Sequence, residues 1–262
     1  MNKHKNIQIQ VRKSVLNIVF DSPKNRNALS PSMIYEIQST LDKYQNNKDI
    51  RVVLFSSSSS VFCAGADLKY LKSIINNTLD ENLKDSLQLM NLFKTILSYK
   101  KIVISKVTGP AIAGGCGIVS ASDFIFCTKE SKFGYPEVKI GFIPALVSTF
   151  LKYKVSPYNA KKLLLNGNII NAEEAKNIGL VDNIESIKRI DNKIDEFIDN
   201  HIKMTSSISI AQTKKLQYDL NNLETQLSIA AEYNANIRLQ SDFKKGINSF
   251  LNKNSINWEK EK

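Results

Sequence analysis

Gly109-Pro110-Ala111-Ile112-Ala113-Gly114-Gly115-Cys116-Gly117 is the stretch on which the reading of this chain turns. It follows the β-branched run Ile102–Val107 and precedes Ile118-Val119-Ser120, which suits a short helix. A second run of small residues, Cys63-Ala64-Gly65-Ala66-Asp67, follows another β-rich segment, Val52-Val53-Leu54-Phe55. Small side chains let a ligand come close to the backbone, and the first turn of a helix offers N–H donors that have no intrahelical partner. Two such patches facing one another would form a hole for an oxyanion.

Outward from these runs, the chain alternates strand and helix signals. Residues 7–20 alternate or run β-branched around Arg12-Lys13-Ser14 and predict a hairpin. Ser30 before Pro31 predicts a capped helix reaching about Asn46. Arg51 to Ser56 predicts a buried strand, followed by the serine run Ser56–Ser60. Leu83, Leu87, Met90 and Leu97 lie at helical spacing and predict a helix over residues 80–98. Strands are expected at Ile102–Val107 and Phe124–Cys127, with a two-turn helix between them. Beyond Pro157 the pattern is almost wholly helical, with segments near 157–166, 172–178, 185–203, 206–221 and 224–252. This order argues for an α/β sheet with right-handed crossovers. It divides the chain into an α/β core, residues 1–190, and a helical region, residues 191–262.

Composition narrows the chemistry. The 262 residues are 42% hydrophobic, enough for a real core, and no run of about 18 apolar residues suggests a membrane span. The start, Met1-Asn2-Lys3-His4, leads straight into the first strand without an apolar signal segment, so a cytoplasmic protein is expected. The net charge of +11 comes from scattered lysines rather than a basic stripe, which argues against a nucleic-acid partner. Cys63, Cys116 and Cys127 lack Cys-x-x-Cys spacing; free thiols are expected, with neither zinc nor disulfides. Of the two histidines, His4 lies at the terminus and His201 on a helix, where a surface place is expected. No Gly-x-Ser-x-Gly elbow, dinucleotide fingerprint or Gly-Lys-Ser phosphate loop is present. What remains is acid/base chemistry by a carboxylate beside backbone donors.

The residues then become recognisable. Phe62-Cys63-Ala64-Gly65-Ala66-Asp67-Leu68, Val107-Thr108-Gly109 through Gly117, and Phe133-Gly134-Tyr135-Pro136-Glu137-Val138-Lys139-Ile140-Gly141-Phe142-Ile143-Pro144 resemble the motifs of the crotonase (enoyl-CoA hydratase/isomerase) superfamily, in order and spacing. Asn166-Gly167 and Ala172 through Asp182 resemble the segment that follows the active site, so the likeness spans about residues 5–255. It implies an α/β, crotonase-like spiral of ββα units, with a C-terminal helical region serving oligomerisation and active-site closure. A homo-trimer or hexamer is implied, as is an acyl-CoA substrate and no separate cofactor.

Carried over by position, the resemblance implies that the N–H groups of Ala66 and Gly114 hold the thioester oxygen and that Glu137 moves the proton. A carboxyl beside apolar surface has a raised pKa suited to that work. Lys24, Arg26 and Ala28 match a loop along CoA, Ala64 and Leu68 its adenine side, and Phe250 and Lys253 a C-terminal contact that typically comes from a neighbouring subunit. Asp67 is read first as the cap of the following helix and second as a substrate contact. The pattern breaks at Gly117, where two-glutamate hydratases carry a second carboxylate. One-glutamate sites resemble hydratases of the methylglutaconyl-CoA type and also enoyl-CoA isomerases. Three readings stay open: a hydro-lyase, an isomerase, and a catalytically weak binding protein of the same fold.

Overall fold

The alternating N-terminal residues form a hairpin in which β1 (Ile7–Arg12) pairs antiparallel with β2 (Val15–Phe20). The computed structural model describes residues 5–254 and 256–260; the side chains of Leu68, Lys69 and Lys260, and His4 with the rest of residues 1–4, lie outside the described residues. From β2 onward the pairing is parallel, through β3 (Val52–Ser57), β4 (Ile102–Val107), β6 (Phe124–Cys127) and β9 (Asn183–Ile184). The resulting sheet has six strands in the order β1-β2-β3-β4-β6-β9. A second sheet of three strands, β5-β7-β8, is built from β5 (Ala111–Ile112), β7 (Lys132–Gly134) and β8 (Ile169–Asn171).

The two sheets are filled in step. β4 enters the large sheet, β5 the small one, and α4 (Gly114–Ala121) follows; β6 and β7 repeat the pattern ahead of the 3-10 turn Pro136–Ile140 and α5 (Ala145–Lys154). Isolated parallel bridges, Leu29 to Ala66 and Cys63 to Ala111, bring the earlier loops into the same layer. The architecture is the α/β spiral of strand-strand-helix units that the sequence motifs implied, closed by C-terminal helices.

The central strands β3, β4 and β6 are largely apolar because both faces are covered. Val52, Ile102, Ile104 and Phe126 meet Ile190, Ile194 and Ile198 of α8 (Ile190–Met204), whereas the alternate residues Val53, Phe55 and Val103 join the main core. That core takes in α1 (Pro31–Tyr44) through Met33, Ile37 and Leu41, and α3 (Leu79–Leu97) through Leu92, Phe93 and Ile96. Side-chain caps start both helices as their sequences ask: Ser30 Oγ accepts from the Met33 N–H, and Thr78 with Glu81 forms a capping box.

Several elements depart from the sequence expectations. α2 (Leu68–Ser73) is the helix that Asp67 was expected to cap, α5 lies where no helix was expected, and the segment expected at 185–203 begins at Ile190, after β9. His201 is half-buried and not a plain surface residue: its ring stacks on Phe197 at 5.8 Å, and burial with nearby Arg51 lowers its pKa. The single helix expected over 224–252 is two, α10 (Leu223–Ile237) and α11 (Ser241–Leu251), broken by an extended Gln240. No proline or glycine makes that break. It lets Arg238 meet Asp85 and lets α11 bury Phe243 and Ile247 beside Leu71 of α2 and Ile74 just after it. The remaining helices are α6 (Pro157–Asn166), α7 (Ala172–Asn177) and α9 (Ser207–Leu220). No described helix is long and apolar enough to cross a membrane.

Candidate active site

The two small-residue runs meet directly. Ile112 N–H donates to Cys63 O at 2.9 Å, Leu29 N–H to Gly65 O at 2.7 Å, and Ala113 N–H to Gly134 O at 2.8 Å. Gly65 has φ +89°, and a Cβ there would stand 2.8 Å from Ala113 Cβ and 2.9 Å from Ile112 O. Only glycine allows this contact. Ala113 itself sits at φ +51°, ψ −125°, a conformation that L residues rarely hold, as the residue before α4. Backbone strain of this kind concentrates at functional sites. At Gly114, the first residue of α4, no carbonyl of its own helix can accept the N–H. Neither that N–H nor the Ala66 N–H has an acceptor among the described residues.

Asn27 fixes the loops from behind. It is fully buried, its Nδ2 donates to Ser57 Oγ at 2.8 Å and Val61 O at 2.9 Å, and its Oδ1 accepts from Ser22 N–H at 2.7 Å. The serine run is therefore a hydrogen-bonded bend. Asp67 caps α2, accepting from the Tyr70 N–H at 2.9 Å.

Ala66 and Gly114 line a cavity of about 150 Å³ together with Ala64, Glu137 and Phe250. Glu137 lies in the 3-10 turn after β7 and is 7% exposed. Its Oε2 is buried without a hydrogen-bond partner, and burial pushes its pKa up to about 7, with only its own backbone N–H pulling the other way. Apolar neighbours in the cavity, Ile140, Phe142, Ile143 and Leu146, supply that low-dielectric setting. Its turn is braced from the C-terminus: a Cβ on Gly246 of α11 would stand 2.1 Å from Ile140 O, so only glycine lets α11 lie this close. The cavity wall thus brings Ala66 and Gly114 together with a carboxyl whose pKa burial pushes up to about 7.

The other sequence-derived residues fall as follows. Phe250 is 47% exposed and lines the cavity of its own chain. Lys24 and Arg26 are exposed on the turn that joins the site through an Ala64 N–H to Arg26 O hydrogen bond of 3.1 Å. Ala28 is buried beside that turn, Lys253 is exposed beyond α11, and none of these four is in the cavity wall. Asp67 is also absent from the wall, where capping is its visible role. Leu68 opens α2, and its side chain lies outside the described residues. The three cysteines are free and buried, with burial pushing each thiol pKa up to about 12.

Gly117 is not in the wall either. A Cβ there would stand 2.6 Å from Phe93 Cζ and 3.1 Å from Val147 Cγ2. The Phe93 ring, itself in the cavity wall, occupies the space beside position 117. Gly117→Glu is accordingly expected to destabilise the protein by about 1–3 kcal/mol through overpacking. Urea titration of G117E, F93A and the double variant would give a favourable coupling between the two changes.

The polar cavity residues missed from sequence are Tyr70 on α2, Asp85 on α3, Asn234 on α10 and Arg238 just after it. Phe93 was read only as part of a helix. No local spacing marks them, because they come together from separate helices.

The sequence profile of the family described as Enoyl-CoA hydratase/isomerase matches residues 10–261. A relative from Thermus thermophilus is 35% identical over 253 residues, covering 94% of this chain and 98% of its own. The peroxisomal Delta(3,5)-Delta(2,4)-dienoyl-CoA isomerase of Arabidopsis thaliana is 26% identical over 270 residues, 97% of this chain and 96% of that one. Among solved structures, an enoyl-CoA hydratase from Mycobacterium avium aligns with a TM-score of 0.84 at 26% identity, over 97% of this chain and 98% of its own.

Proposed function

The chain belongs to the enoyl-CoA hydratase/isomerase family, and from that premise we propose that it adds or removes water across the α,β double bond of an enoyl-CoA. In the hydration direction, the Glu137 carboxylate takes a proton from water as its oxygen bonds to Cβ. Charge passing to the thioester oxygen is held by the Ala66 and Gly114 N–H groups, which act as an oxyanion hole. The proton then goes from Glu137 to Cα, giving a 3-hydroxyacyl-CoA; nothing is oxidised or reduced, so no cofactor beyond the substrate's own CoA is required. The observation that carries this reading is Glu137, buried with Oε2 unpartnered and its pKa pushed up to about 7, in the cavity that Ala66 and Gly114 also line.

One such carboxyl is half ionised near neutral pH and serves as base and then acid. Donors aimed at developing charge are worth roughly 3–4 kcal/mol each in comparable sites. Lys24 and Arg26, exposed beside the Ala64 loop, are suited to the CoA phosphates. Phe250 reaches the cavity from the same chain. The exposed apolar residues Leu165, Ile229 and Tyr233 border a groove between α5, α6 and α10 and would supply a contact between subunits of the trimer or hexamer.

A second reading is favoured by Phe93. With an aromatic ring beside position 117, the wall there is apolar, which suits an isomerase moving one proton from the γ to the α carbon, or back, through Glu137. Incubation with 2-enoyl-CoA and 3-enoyl-CoA, followed by mass analysis, separates the two. The hydratase is expected to add 18 Da, one water, to the 2-enoyl thioester. Equal mass with a shifted double bond would assign the isomerase. No conversion of either would leave a binding protein of this fold.

A further inference from the structure

The Glu137 carboxyl has little of its own to hold it. Its Oε2 has no partner, and the hydrogen bond that lowers its pKa comes from its own backbone N–H. Where it stands is therefore set by the turn Pro136–Ile140, which receives no side-chain cap from Tyr135, the residue before it. The Tyr135 hydroxyl goes to a different element. The side chain is fully buried, and its Oη donates to Cys116 O at 3.2 Å and shares a 2.5 Å hydrogen bond with Ser120 Oγ. Both partners belong to α4, the helix whose first residue is Gly114.

A second link runs beside it. Ala113 N–H, immediately before Gly114, donates to Gly134 O at 2.8 Å, so residues 134 and 135 hold α4 at both ends. From Ala113 to Ser120 is about 10 Å along a helix axis. One hydrogen bond at the end of a helix fixes a point and leaves the axis free to swing; another, further along, fixes its direction. The same two residues lead straight into the Glu137 turn, so the oxyanion donor and the proton carrier are tied through one short segment. Burial pushes the Tyr135 pKa well above its ordinary 10, so the hydroxyl keeps its proton near neutral pH. Tyr135, Cys116 and Ser120 are all outside the cavity wall, so their effect on the reaction passes through Gly114 and Glu137.

We propose that Tyr135 is a positioning residue: its hydroxyl locks the helix carrying the Gly114 N–H to the turn carrying Glu137, and so sets the distance between the oxyanion donor and the proton carrier. The inference rests on the enoyl-thioester reading above and adds to it a group that touches no substrate. Tyr135→Phe tests it, since it removes the hydroxyl and keeps the ring that fills the core. The substrate is whichever of 2-enoyl-CoA and 3-enoyl-CoA the protein converts. A fall in kcat of about 10–10²-fold is expected, as for reacting groups displaced by up to about 1 Å, with KM changed by less than about twofold.

Two further measurements separate positioning from a merely structural role. In the Glu137→Gln background, where the proton carrier is already gone, Tyr135→Phe should change the remaining rate by less than about twofold. Ser120→Ala should also lower kcat, and the double variant should be no slower than Tyr135→Phe alone, because both changes break one link. If Tyr135→Phe does not fold, Ser120→Ala, carried through the same two backgrounds, gives the readout. Wild-type kcat in a folded Tyr135→Phe would overturn the inference and leave the role of Glu137 standing. So would an equal loss in both backgrounds, or a double variant slowed by the product of the two separate losses. If the wild type converts no thioester, the enoyl-CoA reading itself fails and takes this inference with it.

Discussion

Glu137→Gln is expected to lower kcat by about 10²–10⁴-fold while the protein still folds, because it removes the one group placed to carry the proton and keeps its shape. Rates with 2-enoyl and 3-enoyl thioesters should fall together, since both proposed reactions use the same carboxyl. The pH dependence provides a second, independent readout. Burial raises the Glu137 pKa from 4.5 to about 7, so the folded state binds this proton more tightly than the unfolded chain does. Stability from this group is therefore fully present below pH 4.5 and is lost as pH rises towards and through 7. At 1.36 kcal/mol per pKa unit the loss is about 3 kcal/mol. Urea titrations at pH 5 and pH 8 should show that decline in the wild type, and the difference between wild type and Glu137→Gln should shrink by a comparable amount at pH 5. Unchanged turnover in the variant would remove Glu137 from the mechanism, whichever reaction the protein catalyses.

Gly65→Ala should be nearly as damaging, by a different route. The added methyl would need to stand 2.8 Å from Ala113 Cβ and 2.9 Å from Ile112 O, at a φ of +89° that alanine rarely adopts. Neither neighbour is the end of a flexible side chain, so backbone has to move, and the backbone concerned carries the Ala66 and Gly114 N–H groups. A loss of about 10²–10³-fold in kcat is expected, comparable to removing one oxyanion donor. A stability loss of about 1–3 kcal/mol should accompany it. Gly179→Ala is the control: its φ is +83°, but the nearest heavy atom to a new Cβ, Lys154 O, is 3.8 Å away. That variant should lose some stability and keep its turnover. Equal kcat in Gly65→Ala and Gly179→Ala would mean that the close approach of the two loops does not matter for the reaction.

Much of the architecture is readable from local order. β4 and β6 lie at the expected residues, and α1 and α3 end within about two residues of expectation, because their apolar spacing and caps are strong local signals. The elements that escape are those without a local signal. α5 starts after Pro144 with no side-chain cap to mark its first turn. The break between α10 and α11 occurs without glycine or proline, where packing of Phe243 and Ile247 outweighs helix continuity. In the site, Ala66, Gly114 and Glu137 stand out because small residues and a lone carboxyl in fixed motifs are legible one segment at a time. Tyr70, Asp85 and Arg238 do not, since nothing in α2, α3 or α10 alone reveals that three polar groups share one wall.

By itself the sequence determined the α/β class and the family, and the resemblance in its motifs pointed to the three positions proposed to carry the chemistry, since each depends on residues close together in the chain. The tertiary structure decided what surrounds them. It put the Phe93 ring beside Gly117, where a carboxylate was missing, and brought Phe250 of the same chain to the cavity. It also set Arg238 against Asp85, 153 residues away. These are contacts between distant segments: which side chains share a small volume depends on how whole helices and sheets pack, and no periodicity within one segment records it.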